Sequence, residues 1–356
     1  MSAMSALSGR SPAEGSIAGR PVVLHYGDIA TEYAALRAGA MLVDRDARGR
    51  MRLDGARAAE MIAGLVTNDV QALTAGTGTY AAALSPRGRI VADVRIFVFS
   101  DHLAADVPPR AAEGWQAMVR KYINPRIARY EDQSASRRQI GIFGARARRV
   151  TAAVTGISTD ALAALAPYAH LPLPAMADTA FVARVPDLEL EGYEIIMPAE
   201  ARDEVWHRAE DAGATRAGLL AFEIARIEAG RPEWGLDMDE TTIPQEANLD
   251  ELHAISYTKG CYVGQEVVAR VHFRGHVNRH LRGLLVGQSE PPAHGTALLD
   301  ASGRQVGDVR SGTLSPRLGG IALAMVRREI APGTTLRALG PDHESSVDVA
   351  ELPFPL

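Results

Sequence analysis

Apolar positions recur along this chain in two rhythms, every second residue and every third or fourth, and neither rhythm dominates. Residues 51–53 read as a strand running into Asp54-Gly55. Ala58, Met61, Ile62, Leu65 and Val66 then share one helical face, closed by Asn68-Asp69. Residues 79–84 and 90–99 read as strands joined by the turn Ser85-Pro86-Arg87-Gly88, which predicts a hairpin. Trp115, Met118, Val119 and Tyr122 keep helical spacing, and residues 127–130 and 139–143 return to strand. Ser158 caps a short helix over 160–166, and Pro167, Pro172 and Pro174 mark a loop. Residues 181–185 and 193–197 form another antiparallel pair. Helices follow at 200–212, ended by Gly213, and at 216–229, where Leu220, Ile224 and Ile227 are buried and Gly230 and Pro232 supply the stop.

From Arg282 onward the pattern changes. Short β-rich runs (282–287, 296–299, 304–312, 320–328, 334–339, 345–350) alternate with Gly, Pro and Ser turns, and no helical spacing appears. This predicts a small barrel or sandwich as a separate C-terminal domain, with the boundary near 276–282. The whole is an α+β chain with no repeat of the solenoid type.

At 356 residues the chain exceeds one typical core, so two or three domains are expected. A net charge of −5 argues against general coating of nucleic acid but leaves room for a local basic site. No apolar run approaches the roughly 18 residues of a membrane span, so no membrane partner is expected. Residues 1–20 are small, polar and broken by Gly, Ser and Pro, and they lack the apolar core of a secretory signal. They read as a disordered N-terminal extension.

The single cysteine, Cys261, changes the picture most. It excludes an internal disulfide and fits a reducing, cytoplasmic compartment. Between Tyr257 and Arg282 lie Lys259, Arg270, Arg274, Arg279 and Arg282 against one acid, Glu266. Nearby positive charge favours thiolate over thiol, so a lowered Cys261 pKa is expected. Gly260 and Gly264 let backbone or ligand come close. Buried packing is the competing reading for any free cysteine, but the glycines, the cations and Gln265-Glu266 are unlike an apolar core strand. His272, His276 and His280 recur every four residues. Gly275, Val271 and Val277 argue against a helix that would align them, and no acid or second cysteine accompanies them as metal ligands, so no metal is expected.

Lys259-Gly260-Cys261-Tyr262-Val263-Gly264-Gln265-Glu266 resembles the signature of the YgfZ family of folate-binding proteins, relatives of the glycine-cleavage T-protein that act in iron–sulfur cluster maturation. The likeness extends over about residues 25–355, through Leu53-Asp54-Gly55, Leu65 to Val70, the Leu84–Ile90 turn with Asp93, Gly192-Tyr193-Glu194-Ile195, Arg226 to Gly230, and Pro244-Gln245-Glu246-Ala247. It implies two antiparallel-sheet α+β subdomains around a central folate channel over 21–276, split near 140–180, then a β-barrel over 277–356.

A folate needs a carboxylate for its pterin N–H edge, apolar or aromatic walls, and a cation for its tail. The resemblance puts Glu194 in the first role and Arg226 at the channel. Each also has a plainer reading, Glu194 as a surface acid and Arg226 as a helix charge paired with Glu223 or Glu228. Tyr80 and Trp234 are candidate flat walls, with core packing as the alternative. T-proteins carry two adjacent acids where this chain has Ala92-Asp93, one of them essential for the aminomethyl group. If the missing acid is the catalytic one, aminomethyl transfer is lost and Asp93 is a polar channel residue. Lys259 would stabilise a thiolate or meet an anion, and Glu266 would anchor the loop through Arg270.

The resemblance therefore implies a tetrahydrofolate-binding accessory factor for 4Fe–4S proteins, tRNA-modifying radical enzymes among them, acting through a reactive Cys261 near one mouth of the channel. Its partners would be iron–sulfur clients or carriers. A folate-dependent aminomethyl- or methyltransferase is the alternative, and Ala92 and the cysteine motif count against it. A third reading is tRNA contact through Arg270, Arg274, Arg279 and Arg282, but only Phe273 offers a stacking surface nearby.

Overall fold

The protein is described from a computed structural model covering residues 11–176, 179–340 and 344–355. The chain opens with a hairpin, β1 (Ala13–Ile17) against β2 (Arg20–His25). This corrects the expected disorder for residues 13–20; residues 1–10 lie outside the described ones. The hairpin is held from outside its own sequence, because Arg20 donates to the carbonyls of Ala47 and Arg48 at 3.0 and 2.8 Å. Helix α1 (Ile29–Ala38) follows, its free N–H groups at Ala30 and Thr31 capped by the Asp28 carboxylate.

Strand β3 (Met41–Asp44) precedes a five-stranded sheet made of β4 (Gly49–Asp54), β5 (Gly78–Leu84), β6 (Ile90–Val98), β7 (His102–Val107) and β8 (Arg129–Asp132) in the order β5-β6-β7-β4-β8. Helices α2 (Ala58–Ala63) and α3 (Ala112–Tyr122) cover one face. There Ile62, Trp115, Met118 and Val119 pack on Ala92, Val94 and Ile96. The other face of β6 carries Asp93, Arg95 and Phe97, since successive side chains alternate sides.

The chain then returns to β3. Strands β9 (Arg137–Phe143), β10 (His170–Pro172), β11 (Phe181–Arg184), β12 (Gly192–Pro198) and β13 (Thr215–Ala217) join it in the order β10-β11-β12-β9-β3-β13. Helices α4 (Ala147–Thr155), α5 (Thr159–Ala163) and α6 (Arg202–Asp211) cover the outer face through Val150, Val154, Leu162, Val205 and Trp206. The last strand, β13 (Thr215–Ala217), pairs in parallel with β3. Helix α7 (Leu219–Glu228) therefore starts later than residue 216, after Gly218, where any side chain would collide with the Leu24 carbonyl. The five-stranded sheet is thus inserted between two strands of the six-stranded one.

The inner faces of the two sheets meet α1 and α7 in a central core that includes Tyr33, Leu36, Tyr80, Phe97, Phe143, Phe181 and Phe222. A loop region then leads to α8 (Gln265–Arg274), and β14 (Arg279–Gly287), β15 (Ala297–Leu299), β16 (Gln305–Ser315), β17 (Gly319–Arg327), β18 (Thr335–Leu339) and β19 (Glu344–Ala350) form a closed barrel. Helix α8 corrects the expectation of no helix around the histidines. Gly275 ends the helix rather than preventing it, and His276 and His280 fall outside.

Candidate functional site

A cleft of about 390 Å³, counting its open mouth, lies between the inner faces of the two sheets. Its walls include Tyr80, Asp93 and Arg95 from the hairpin, Arg45 and Arg48 from the β3–β4 connection, and Phe222, Arg226, Arg231 and Glu233 on and after α7. Charges removed from water are costly unless paired, and nearly all of these are. Arg95, 3% exposed, donates to Asp106 at 3.0 Å and Glu194 at 2.6 Å and also grips Asp187. Arg48 holds both oxygens of Asp106 at 2.8 and 2.9 Å. Arg45 bonds Glu194 at 3.1 Å and lies 4.1 Å above the Phe222 ring. Arg231 lies 4.7 Å over the Tyr80 ring and donates to the Tyr168 hydroxyl at 2.5 Å.

Asp93 is the exception. It is buried, and Tyr80 donates its hydroxyl to Oδ2 at 3.0 Å, but Oδ1 has no hydrogen-bond partner. Burial pushes its carboxyl above the ordinary value near 3.8, against the pull of Arg48 and Arg95. Glu233 behaves similarly, raised to about 7 by burial and then by Glu223, against Arg226, Arg110 and Arg45. A buried carboxylate oxygen with no hydrogen-bond partner has unused capacity to accept a proton or an N–H. The alternation along β6 separates the two positions: Ala92 packs into the helix-covered core, whereas Asp93 faces the cleft.

Glu194 is fully buried behind the cleft wall rather than on it. Its oxygens accept from Arg45, Arg95 and Gln139, the last at 2.6 Å, which corrects its reading as a surface acid and gives it no open face for a pterin. Arg226 does line the cleft, but its guanidinium is fully engaged. It meets Glu223 at 2.7 Å, Asp237 at 2.7 Å, the Arg231 carbonyl at 2.5 Å and Ser311 of the barrel at 2.9 Å. It works as a strut between α7 and the barrel. Tyr80 is on the wall as expected. Trp234 is not; its indole donates to the Ile90 carbonyl at 3.3 Å and its ring bridges two cores, so the packing alternative describes it.

Sequence reasoning passed over Arg45, Arg48, Arg95, Asp187, Arg231 and Glu233. The signal available was Arg95 two residues after Asp93 in an otherwise apolar strand, where one spare charge would be an accident but two on one face are a site.

The Cys261 motif forms a separate feature. The sulfur is exposed, and Cys261 is not among the residues lining the cleft. Its loop is latched between the end of α2 and the β5–β6 turn. Val263 N–H donates to the Gly64 carbonyl at 3.0 Å, and Tyr262 N–H donates to the Gln265 side chain at 3.1 Å. Gly264 sits at φ +81 against the Ser85 carbonyl. The Lys259 ammonium is occupied with the carbonyls of Ala63, Val66 and Asn68 at 2.5, 2.7 and 3.0 Å, so it serves as a pin for the loop. Burial lowers its pKa to about 8, against the attraction of Asp69. Arg270 pairs with Glu266 at 2.9 Å, as expected, and Arg279 pairs with Glu246 at 3.0 Å. The cations counted around Cys261 are thus largely committed elsewhere. His272 stacks on Tyr257 with ring centroids 3.6 Å apart. Among the described residues no group of three His, Cys, Asp or Glu side chains is placed to hold a metal ion, and no helix is long and apolar enough to cross a membrane.

Gly264→Ala should be costly, because it adds a Cβ where the backbone is left-handed and the Ser85 oxygen occupies the space. A loss of about 1–3 kcal/mol in urea unfolding is expected, and a change within about 0.5 kcal/mol would contradict the latch.

The comparisons with known proteins agree with this architecture. A family model described as the GCVT N-terminal domain matches residues 20–256, and one described as the glycine cleavage T-protein C-terminal barrel domain matches residues 279–354. A protein named aminomethyltransferase from Thermosynechococcus vestitus is 33% identical over 310 residues, 86% of this chain and 82% of that one. Its namesake from Saccharopolyspora erythraea is 30% identical over 347 residues, 95% and 92% of the two chains. The crystal structure of the glycine cleavage system aminomethyltransferase T from Bartonella henselae superposes with a TM-score of 0.86 at 22% identity, covering 97% of this chain and 94% of the other.

Proposed function

Because the chain belongs to the glycine cleavage T-protein family, we propose that its central cleft binds tetrahydrofolate and serves one-carbon transfer of the aminomethyltransferase type. The observation that carries this reading is the unpartnered Oδ1 of Asp93 on the cleft wall. The residues present fit such a ligand, with Phe222 and Tyr80 as flat walls, Arg45 and Arg231 as cations for a carboxylate tail, and Asp93 for an N–H or a proton. When bound, tetrahydrofolate supplies the amine nitrogens that accept a one-carbon unit.

The chain's own residues do the rest. Tyr80 fixes the Asp93 carboxylate through one oxygen and leaves the other without a partner. Burial raises the acid's pKa toward working pH, which is what a group passing a proton needs. The Arg95 and Arg48 pairs with Asp106, Asp187 and Glu194 hold β6 against β7 and β12 and so fix the position of Asp93. The test is tetrahydrofolate-dependent transfer of a one-carbon unit from small amines by the purified protein. Measurable turnover is expected; folate binding with no turnover on any amine would overturn the transferase part.

A second reading is favoured by the exposed sulfur of Cys261 on its latched loop. Here the protein is a folate-binding factor for maturation of 4Fe–4S clients, with the thiol meeting the client. Cys261→Ala in cells should then depress 4Fe–4S enzyme activity while leaving folate binding intact. Undiminished client activity would exclude this role for the thiol.

A further inference from the structure

On the far side of the Arg95–Asp106 pair lies a second cleft, of about 410 Å³ counting its open mouth, between the two sheets. Its floor is apolar and aromatic, made by Met51, Phe97, Phe181 and Ile196, and two arginines face it, Arg50 and Arg137. Arg50 is 6% exposed, yet forms no ion pair among the described residues. Its Nη atoms are spent on neutral acceptors, the carbonyls of Asp46, Ser134 and Arg137 at 2.9, 3.2 and 3.1 Å and the Gln139 side chain at 3.2 Å. Its Nε has no acceptor. Arg137 donates to the Thr179 carbonyl at 2.9 Å and likewise has no carboxylate partner among the described residues. Elsewhere in this interior the guanidinium groups of Arg48, Arg95 and Arg226 each have an acid, so two without one beside the same cavity are conspicuous. A buried guanidinium with no carboxylate in direct contact is costly to keep. Burial pulls Arg50 below its ordinary value against the longer-range attraction of Asp106 and Asp46, and burial with the nearby Arg52 charge lowers the half-exposed Arg137 against Glu131 and Glu200.

We infer that this cavity is a second ligand site, for a small planar aromatic carboxylate whose ring lies on Phe97 and Phe181 and whose anion meets Arg50 and Arg137. The aromatic floor selects the ring, since offset or edge-on contacts add to burial. The planar fork of a guanidinium matches a carboxylate. One acid, Asp106, also lines the cavity, but both its oxygens are held by Arg48 and one also by Arg95, so its charge is offset. His102, on the rim, is tied to Asp101 at 2.7 Å. The site shares no lining residue with the folate cleft and does not depend on that assignment.

The test is titration of the full-length protein with benzoate, followed by saturation-transfer NMR and thermal shift. Saturable binding is expected. Arg137→Gln, at a half-exposed position that need not perturb folding, should weaken it by about tenfold, the scale of one charge-assisted hydrogen bond. Phe181→Leu should weaken it as well, and 5-formyltetrahydrofolate should not displace it. Absence of saturable binding, insensitivity to Arg137→Gln, or displacement by 5-formyltetrahydrofolate would each overturn the assignment. Inorganic phosphate binding equally well, with the same sensitivity to Arg137→Gln, would overturn the aromatic part of it.

Discussion

Asp93→Asn should lower tetrahydrofolate-dependent one-carbon transfer by about 10²–10⁴-fold, the usual range for loss of a positioned acid or base. The substitution is nearly isosteric and leaves an oxygen for the Tyr80 hydroxyl, so the fold should survive. Stability provides an independent check with a definite sign. The carboxyl's folded-state pKa is raised above 3.8, so the native state holds the extra proton and Asp93 penalises folding once pH climbs above that value. Removing the charge should therefore make the variant at least as stable as the parent at neutral pH, with the advantage disappearing below pH 3.8. Activity lost and stability kept is the signature of a functional acid. Activity and stability falling together would indicate a structural one.

Arg95→Met should be the most destabilising single change in the site, at about 3–5 kcal/mol, because it removes a cation shared by three buried carboxylates. Asp106 would keep Arg48 and Glu194 would keep Arg45, so the largest imbalance falls on Asp187, left with Arg45 and Arg231 at 3.7 and 3.9 Å. Burial alone would favour neutral carboxyls, yet Arg95 and its neighbours hold the Asp187 carboxyl down at about 2. An acid with a lowered folded pKa stabilises the protein above its unfolded value and loses that contribution as pH falls. Arg95→Met should thus flatten the acid limb of the stability profile as well as lower its plateau. Urea titrations between pH 3 and 7 would show both; a loss under about 1 kcal/mol at neutral pH would contradict the network's role.

Local chemistry was the legible part of this protein. The β5–β6 hairpin announced itself by its turn, α3 by the spacing from Trp115 to Tyr122, and the barrel by evenly spaced short runs. Helix α1 had a readable start too, with Asp28 as cap and Ile29, Tyr33 and Leu36 on one face, but it is short and sits between weak strands. The helix expected from residue 216 begins instead at Leu219, and residues 215–217 form strand, since pairing with β3 outweighs propensity. The site was less legible because its bonds are non-local. Arg95 meets Glu194 across 99 positions and Asp187 across 92, and nothing near Glu194 in sequence says that three donors await it. The cysteine motif was visible at once, but Lys259 and Arg279 find their partners elsewhere in the sequence, at the carbonyls of Ala63, Val66 and Asn68 and at the Glu246 carboxylate.

Calorimetric titration with 5-formyltetrahydrofolate, a stable reduced folate, tests most directly whether the cleft beside Asp93 is a folate site. One equivalent should bind to the parent protein, and Asp93→Ala should weaken that binding by at least about tenfold, or about 1.4 kcal/mol. No binding to the parent, or equal binding to the variant, would contradict it.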